Sequence, residues 1–182
     1  MSYTEIYGFD KKGNAYLAAQ IPNAWRGMVA ILNTLEKRYL PKYRAPWIPN
    51  DIPDEVIEQR PYYQVTRVQS FIVNGDQKGI QEVWNLIYDD RLKDCEKIAL
   101  ASTFDGVIIK KKNFQRLITA FKEFDGETSL KEQADIIEKM LHDRNCIAVG
   151  FNQSSINIFT GNKHWELFQE LEKRKVLRNC KQ

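Results

Sequence analysis

Asp105-Gly106-Val107-Ile108-Ile109 opens the stretch that decides the fold, and Cys146-Ile147-Ala148-Val149-Gly150-Phe151 closes it. Asp-Gly is a turn signal, and the three β-branched residues behind it form an unbroken apolar run, which predicts a buried strand. Phe114, Leu117, Ile118, Phe121 and Phe124 then recur at helical spacing until Asp125-Gly126 stops the helix. Ser129 and Glu132 have the spacing of a capping box, in which hydroxyl and carboxylate satisfy free amides at the start of the next helix. That helix is expected to bury Leu130, Gln133, Ala134, Ile137 and Leu141. The closing run predicts a second buried strand. Strand, helix, helix, strand is a scaffold, and by itself it specifies no chemistry.

Upstream, Tyr3 to Phe9 and Asn14 to Ile21 read as a hairpin around the turn Asp10-Lys11-Lys12-Gly13-Asn14. Asn23 is placed to cap a helix carrying Trp25, Met28, Leu32, Leu35 and Tyr39, which Pro41 ends. Between residues 41 and 61 five prolines leave no room for a long helix, so this segment reads as an extended loop. Tyr43, Trp47, Lys42 and Arg44 make it adhesive, unless Trp47 folds back on the core. Phe71-Ile72-Val73 before Asn74-Gly75 looks like a strand and turn. Ile80, Val83, Trp84 and Ile87 give a short amphipathic helix, and Asp94 is placed to cap another whose inner face is Ile98, Ala99 and Ser102. Thr160-Gly161-Asn162 is expected to start a last helix with Trp165, Phe168 and Leu171 inside, after which Lys173, Arg174, Lys175 and Arg178 fray.

These elements imply an α+β fold, a single mixed β-sheet with an N-terminal hairpin and about six helices packed against it. At 182 residues the chain suits one domain, 1–182, with a proline-rich loop at 41–61 and a basic tail at 173–182. Hydrophobic residues at 43% and charged ones at 28% belong to a globular protein, not a disordered tail. No run is apolar enough for a bilayer span, and Met1-Ser2-Tyr3-Thr4-Glu5 lacks an export pattern, so a cytoplasmic setting without a membrane is expected. Three cysteines, at 95, 146 and 180, do not make a disulfide framework; Cys95 and Cys146 fall in apolar segments and are expected to be buried thiols. A net charge of +3 argues against a protein that imitates DNA by its acidity.

Catalytic and cofactor patterns are sparse. The two histidines, His142 and His164, lack metal-ligand spacing, and no Cys-x-x-Cys pair exists, so neither a metal nor another cofactor is expected. His164, in the first turn of the last helix, is the better candidate for chemistry, although capping or surface contact is its plainer role. Ser154-Ser155 has no nucleophile elbow, and no phosphate loop occurs. Asp89-Asp90 and Asp51/Asp54 flank helix starts, where acidic residues cap. Basic groups carry more signal: Lys110, Lys111 and Lys112 leave the strand and open the helix that holds Arg116, a placement suited to phosphate contact. A solvated charged face explains each group equally simply. The uncharged polar run from Asn152 to Asn157 has the donors and acceptors of a recognition edge or of a capped turn.

Several segments together resemble a known family. They are Ile6-Tyr7-Gly8-Phe9 with Gly13-Asn14, Asn23-Ala24-Trp25-Arg26-Gly27, Thr103-Phe104-Asp105 and Ser129-Leu130-Lys131-Glu132-Gln133-Ala134-Asp135. Val149-Gly150-Phe151-Asn152-Gln153-Ser154-Ser155 and Thr160-Gly161-Asn162-Lys163-His164-Trp165 complete the set. It is similar to the type II-A anti-CRISPR proteins carried by phages and prophages of gut bacteria. The resemblance implies a non-enzymatic inhibitor in the host bacterial cytoplasm that binds Cas9 with its guide RNA loaded and also touches double-stranded DNA. It brings no catalytic residue. Contact candidates are Trp25, Arg26, Lys42, Arg44 and Trp47 for the protein partner, with Lys110, Lys111, Lys112 and Arg116 for nucleic acid. Two other classes stay open from the residues alone: a nucleic-acid-binding accessory protein of a mobile element, and a phage hydrolase or nuclease using the carboxylates or His164.

Overall fold

A computed structural model describes residues 3–23, 26–40, 49, 51–53, 55–56, 78–104, 106–152 and 164–178. The chain divides into two compact units, residues 1–31 with 87–182, and residues 32–86. The larger unit is built on the hairpin. Strand β1, Tyr3–Phe9, buries Thr4 and Ile6 by simple alternation. At the turn, the Asp10 carboxylate accepts from the Lys12 and Asn14 amides at 2.8 and 2.9 Å, and Gly13 takes the left-handed conformation at φ +84°. Strand β2, Ala15–Pro22, returns antiparallel, with the register slipping by one residue between Ile6 and Tyr7.

The remaining strands are β3 (Val107–Lys110), β4 (Ala148–Asn152) and β5 (Trp165–Glu166). The sheet order is β2-β1-β4-β3-β5, antiparallel throughout except for the parallel β3–β5 pair. The fold is therefore α+β with one mixed five-stranded sheet. Six α-helices lie among the described residues: α1 (Met28–Tyr39), α2 (Lys78–Asn85), α3 (Asp94–Ala101), α4 (Phe114–Glu123), α5 (Leu130–Leu141) and α6 (Leu167–Lys173).

In the larger unit α4 packs on α3 and α5, while α6 packs on β3. Phe114, Leu117, Ile118 and Phe121 are buried along α4, and the Phe121 ring meets Phe151 of β4 at 5.8 Å between centroids. This ring pair joins the helical layer to the sheet. Helix α3 is buried on every side, even at Lys97, whose ammonium donates to the Val176 carbonyl at 2.7 Å. In the smaller unit, helix residues Leu32, Leu35 and Glu36 are buried, as are Ile80, Val83 and Leu86.

Several local expectations are corrected. The Ser129–Glu132 capping box does not form. Ser129 stands at the N-cap position without a side-chain cap bond, its hydroxyl accepting instead from the Gln133 side chain (Nε2) at 3.0 Å. Glu132 turns to Arg26 at 2.8 Å. Met140, not Leu141, completes the buried face of α5. Asn23 does not cap α1; its Oδ1 accepts from Thr4 at 2.6 Å and occupies the space above Gly27. Lys93, not Asp94, is the N-cap of α3, and the Glu96 carboxylate takes the Lys93 amide at 2.9 Å. His164 and Trp165 precede the last helix: Trp165 sits on β5, and Glu166 caps α6 by accepting from the Gln169 amide.

The tail does not fray before residue 178. Arg174 holds Glu170 and the Tyr88 hydroxyl, Val176 is buried, and Arg178 donates through its amide to Asp94 and through its guanidinium to the Asp90 carbonyl. Cys95 and Cys146 are buried free thiols, as expected. The strand expected at 71–73, the proline loop except for 49, 51–53 and 55–56, the segment 153–163 and Cys180 lie outside the described residues.

Candidate interaction surface

Lys110 ends β3 and is exposed, and Lys111–Asn113 forms a 3-10 turn that feeds α4. The turn is anchored from below by Glu166, which accepts from the Asn113 side chain at 3.0 Å and from the Lys110 amide at 3.3 Å. Lys111 is half-buried, its ammonium donating to the Asp143 carbonyl, whereas Lys112 is exposed. Arg116 lies one helical turn further on and is differently employed. It pairs with Glu172 at 2.9 Å and stacks over the Phe168 ring at 4.4 Å. It serves the α4–α6 contact, away from the lysines.

Strand pairing brings other cations to the same end of the sheet. Phe9, Ala148 and Lys110 share one cross-strand row. Just beyond it, the Ile147 amide donates to the Phe9 carbonyl and the Ile147 carbonyl accepts from Lys111, both at 2.8 Å. This stitch places the hairpin turn with Lys11 and Lys12, the 143–147 loop with Arg144, and the Lys110–Lys112 turn side by side. Adjacent strands lie about 4.8 Å apart, so the row spans roughly 10 Å. Lys11, Lys12, Lys110, Lys112 and Arg144 are all exposed, and their side chains have no hydrogen bond or ion pair to a described residue.

Three nearby carboxylates are already occupied: Glu166 by Asn113 and backbone amides, Asp10 and Asp143 in their own loops. Asp10 holds the hairpin turn and also accepts from the Asn14 amide group, which keeps its pKa below the usual carboxylate value. Asp143 takes the Asn145 amide at 2.8 Å and the Tyr16 hydroxyl at 3.3 Å. Three of the four large exposed apolar side chains among the described residues, Tyr16, Leu17 and Ile147, lie at this end as well. Sequence inspection missed Lys11, Lys12, Arg144 and Tyr16 because only the strand order β1-β4-β3 unites them.

Of the expected protein contacts, Arg26 bonds to Glu132 and to the Thr128 carbonyl at 3.3 Å, tying the start of α1 to that of α5. Its half-exposed ion pair adds little stability. Trp25, Lys42, Arg44 and Trp47 lie outside the described residues.

A second polar constellation crosses the sheet further along β1. Glu5 is the row partner of both Gln20 and Asn152. Its carboxylate accepts from Gln20 at 2.9 Å, from Asn152 at 2.9 Å and from the Tyr7 hydroxyl at 3.0 Å. Burial, then the neighbouring carboxylate, raises the Tyr7 pKa. The constellation holds itself together.

No group of three or more His, Cys, Asp or Glu residues among those described is arranged to hold a metal ion. Asp89 is gripped by the Arg91 guanidinium, with the nearest approach at 2.6 Å, which lowers its pKa to about 2. His164 stands edge-on to Phe9 at 5.8 Å, and His142 is the exposed C-cap of α5. Among the described residues no helix is long and apolar enough to cross a membrane. No family model, curated protein or solved structure matches the chain.

Proposed function

We propose that this protein is a binding inhibitor that attaches to a guide-loaded Cas9 and blocks DNA cleavage without chemistry of its own. The reading starts from the six segments that resemble the type II-A anti-CRISPRs. The observation that supports it in three dimensions is the sheet end, where cations unpaired among the described residues stand beside exposed Tyr16, Leu17 and Ile147. A surface that mixes cations with aliphatic and aromatic groups suits a nucleoprotein, which offers phosphates and apolar protein patches together. Purified protein added to guide-loaded Cas9 before target DNA is expected to suppress cutting in proportion to its concentration. Unimpaired cleavage at large molar excess of folded protein overturns the reading.

A further inference from the structure

Tyr16 is held in an unusual way. Its row partner on β1 is Gly8, and a Cβ built on Gly8 would lie 2.4 Å from the tyrosine Cζ. The ring therefore lies across the glycine, in space that any other residue would fill. Its hydroxyl reaches the loop beyond α5 and bonds Asp143, with the buried Cys146 thiol alongside. Burial raises the hydroxyl's pKa, with Cys146 and Asp143 adding to the effect. The residue nevertheless keeps 37% of its surface open. The register slip sets up this arrangement. Ile6 pairs with Ala19, yet Tyr7 pairs with Leu17, so the extra residue Ala18 on β2 brings Tyr16 opposite Gly8. Bulges of this kind re-aim side chains.

The result is a phenol ring backed by glycine and held at its tip by the loop that carries Arg144, on the strand that leaves the Lys11–Lys12 turn; Lys110, in the adjacent row, faces the other side of the sheet. Lysine is depleted in the cores of protein–protein interfaces, whereas a flexible row of ammonium groups follows a phosphate backbone well. An aromatic platform flanked by cations is the arrangement that holds unpaired bases, because every base has a stacking face. A duplex hides those faces.

We propose that this end of the sheet binds single-stranded nucleic acid, with Tyr16 stacking on a base and Lys11, Lys12, Lys112 and Arg144 holding the flanking phosphates. The inference goes beyond the Cas9 reading and needs only the free protein, so the failure of either leaves the other standing.

The test is fluorescence anisotropy with a labelled mixed-sequence single-stranded DNA, the same sequence as a duplex, and polyglutamate as an acidic competitor. The single strand is expected to bind more tightly than the duplex, with affinity falling as salt rises. Tyr16→Leu should weaken single-strand binding by roughly 5- to 150-fold, and Tyr16→Phe, which keeps the ring, by much less. The exposed pairs Lys11→Gln/Lys12→Gln and Lys112→Gln/Arg144→Gln report even where Tyr16→Leu does not fold. Each should lower the log–log salt slope by about 0.7 for every phosphate that is no longer neutralised. Absence of binding at low salt, an unchanged slope in both pairs, or equal affinity of Tyr16→Leu and the parent overturns the proposal. So does competition by polyglutamate at equal charge, which would assign the surface to an acidic protein.

Discussion

The two polar regions of β1 make opposite use of charge. Around Glu5 a carboxylate is enclosed by the donors of Tyr7, Gln20 and Asn152, all on the same or adjacent strands. Beyond Phe9, cations gather with no such enclosure among the described residues, while the nearby carboxylates Asp10, Asp143 and Glu166 hold backbone amides. A charge satisfied by its neighbours has its hydrogen-bonding capacity filled and supports the fold. Unsatisfied exposed charges contribute little to folding and keep that capacity for something external. Proximity along the chain does not distinguish the two; the partners do.

The contrast breaks most sharply at Glu5. Glu5→Ala would strand the buried Asn152 amide group and is expected to cost about 1–3 kcal/mol, read as a lower urea midpoint with unchanged slope. A midpoint shift no larger than that of a surface control would mean the row is ornamental. Gly8→Ala should come next. The new methyl must displace the Tyr16 ring, at a cost of about 1–3 kcal/mol, and Cys146 should then react faster with a thiol reagent than in the parent. Unaltered reactivity would show that Tyr16 does not shield the thiol.

Lys110→Gln with Lys112→Gln is expected to leave thermal stability within about 0.5 kcal/mol of the parent, since neither side chain serves the fold. A large loss there would erase the distinction between the regions. The smallest effect belongs to acid titration. Asp10 has a depressed pKa, chiefly from the Asn14 side chain, so its contribution is present above the unfolded value and is lost as pH falls below about 4. Asp89, lowered to about 2 by Arg91, acts in the same direction between pH 4 and 2. Asp89→Asn should flatten that part of the acid-unfolding curve; an unchanged curve would show that the Arg91 contact persists in the unfolded chain.

Much of the scaffold was legible in the residues. Period-two patterning and the Asp10–Asn14 turn gave the hairpin, the β-branched triplet gave β3, and the spacing from Phe114 to Phe121 gave α4. What failed was competition among polar groups. Ser129 and Glu132 have cap spacing, but Gln133 and Arg26 offer them alternative partners that only the tertiary fold brings near. Trp165 has helix-like neighbours, and pairing with Val107 draws it into the sheet. Lys97 looks like a solvated residue until Val176 folds over it. Of the candidate surface, Lys110 to Lys112 were visible as a run. Lys11, Lys12, Tyr16 and Arg144 were not, because a one-residue bulge and the insertion of β4 between β1 and β3 have no signature in a linear string.

The bond from Lys97 to the Val176 carbonyl also bears on synthesis. An ammonium group in the interior depends on a backbone acceptor 79 residues further along the chain. A nascent polypeptide still lacking that carbonyl has an uncompensated cation where its third helix should pack, so the native arrangement cannot settle until Val176 has been added. Copies that stop before Val176 would consequently remain open to proteolysis instead of accumulating as competent-looking fragments.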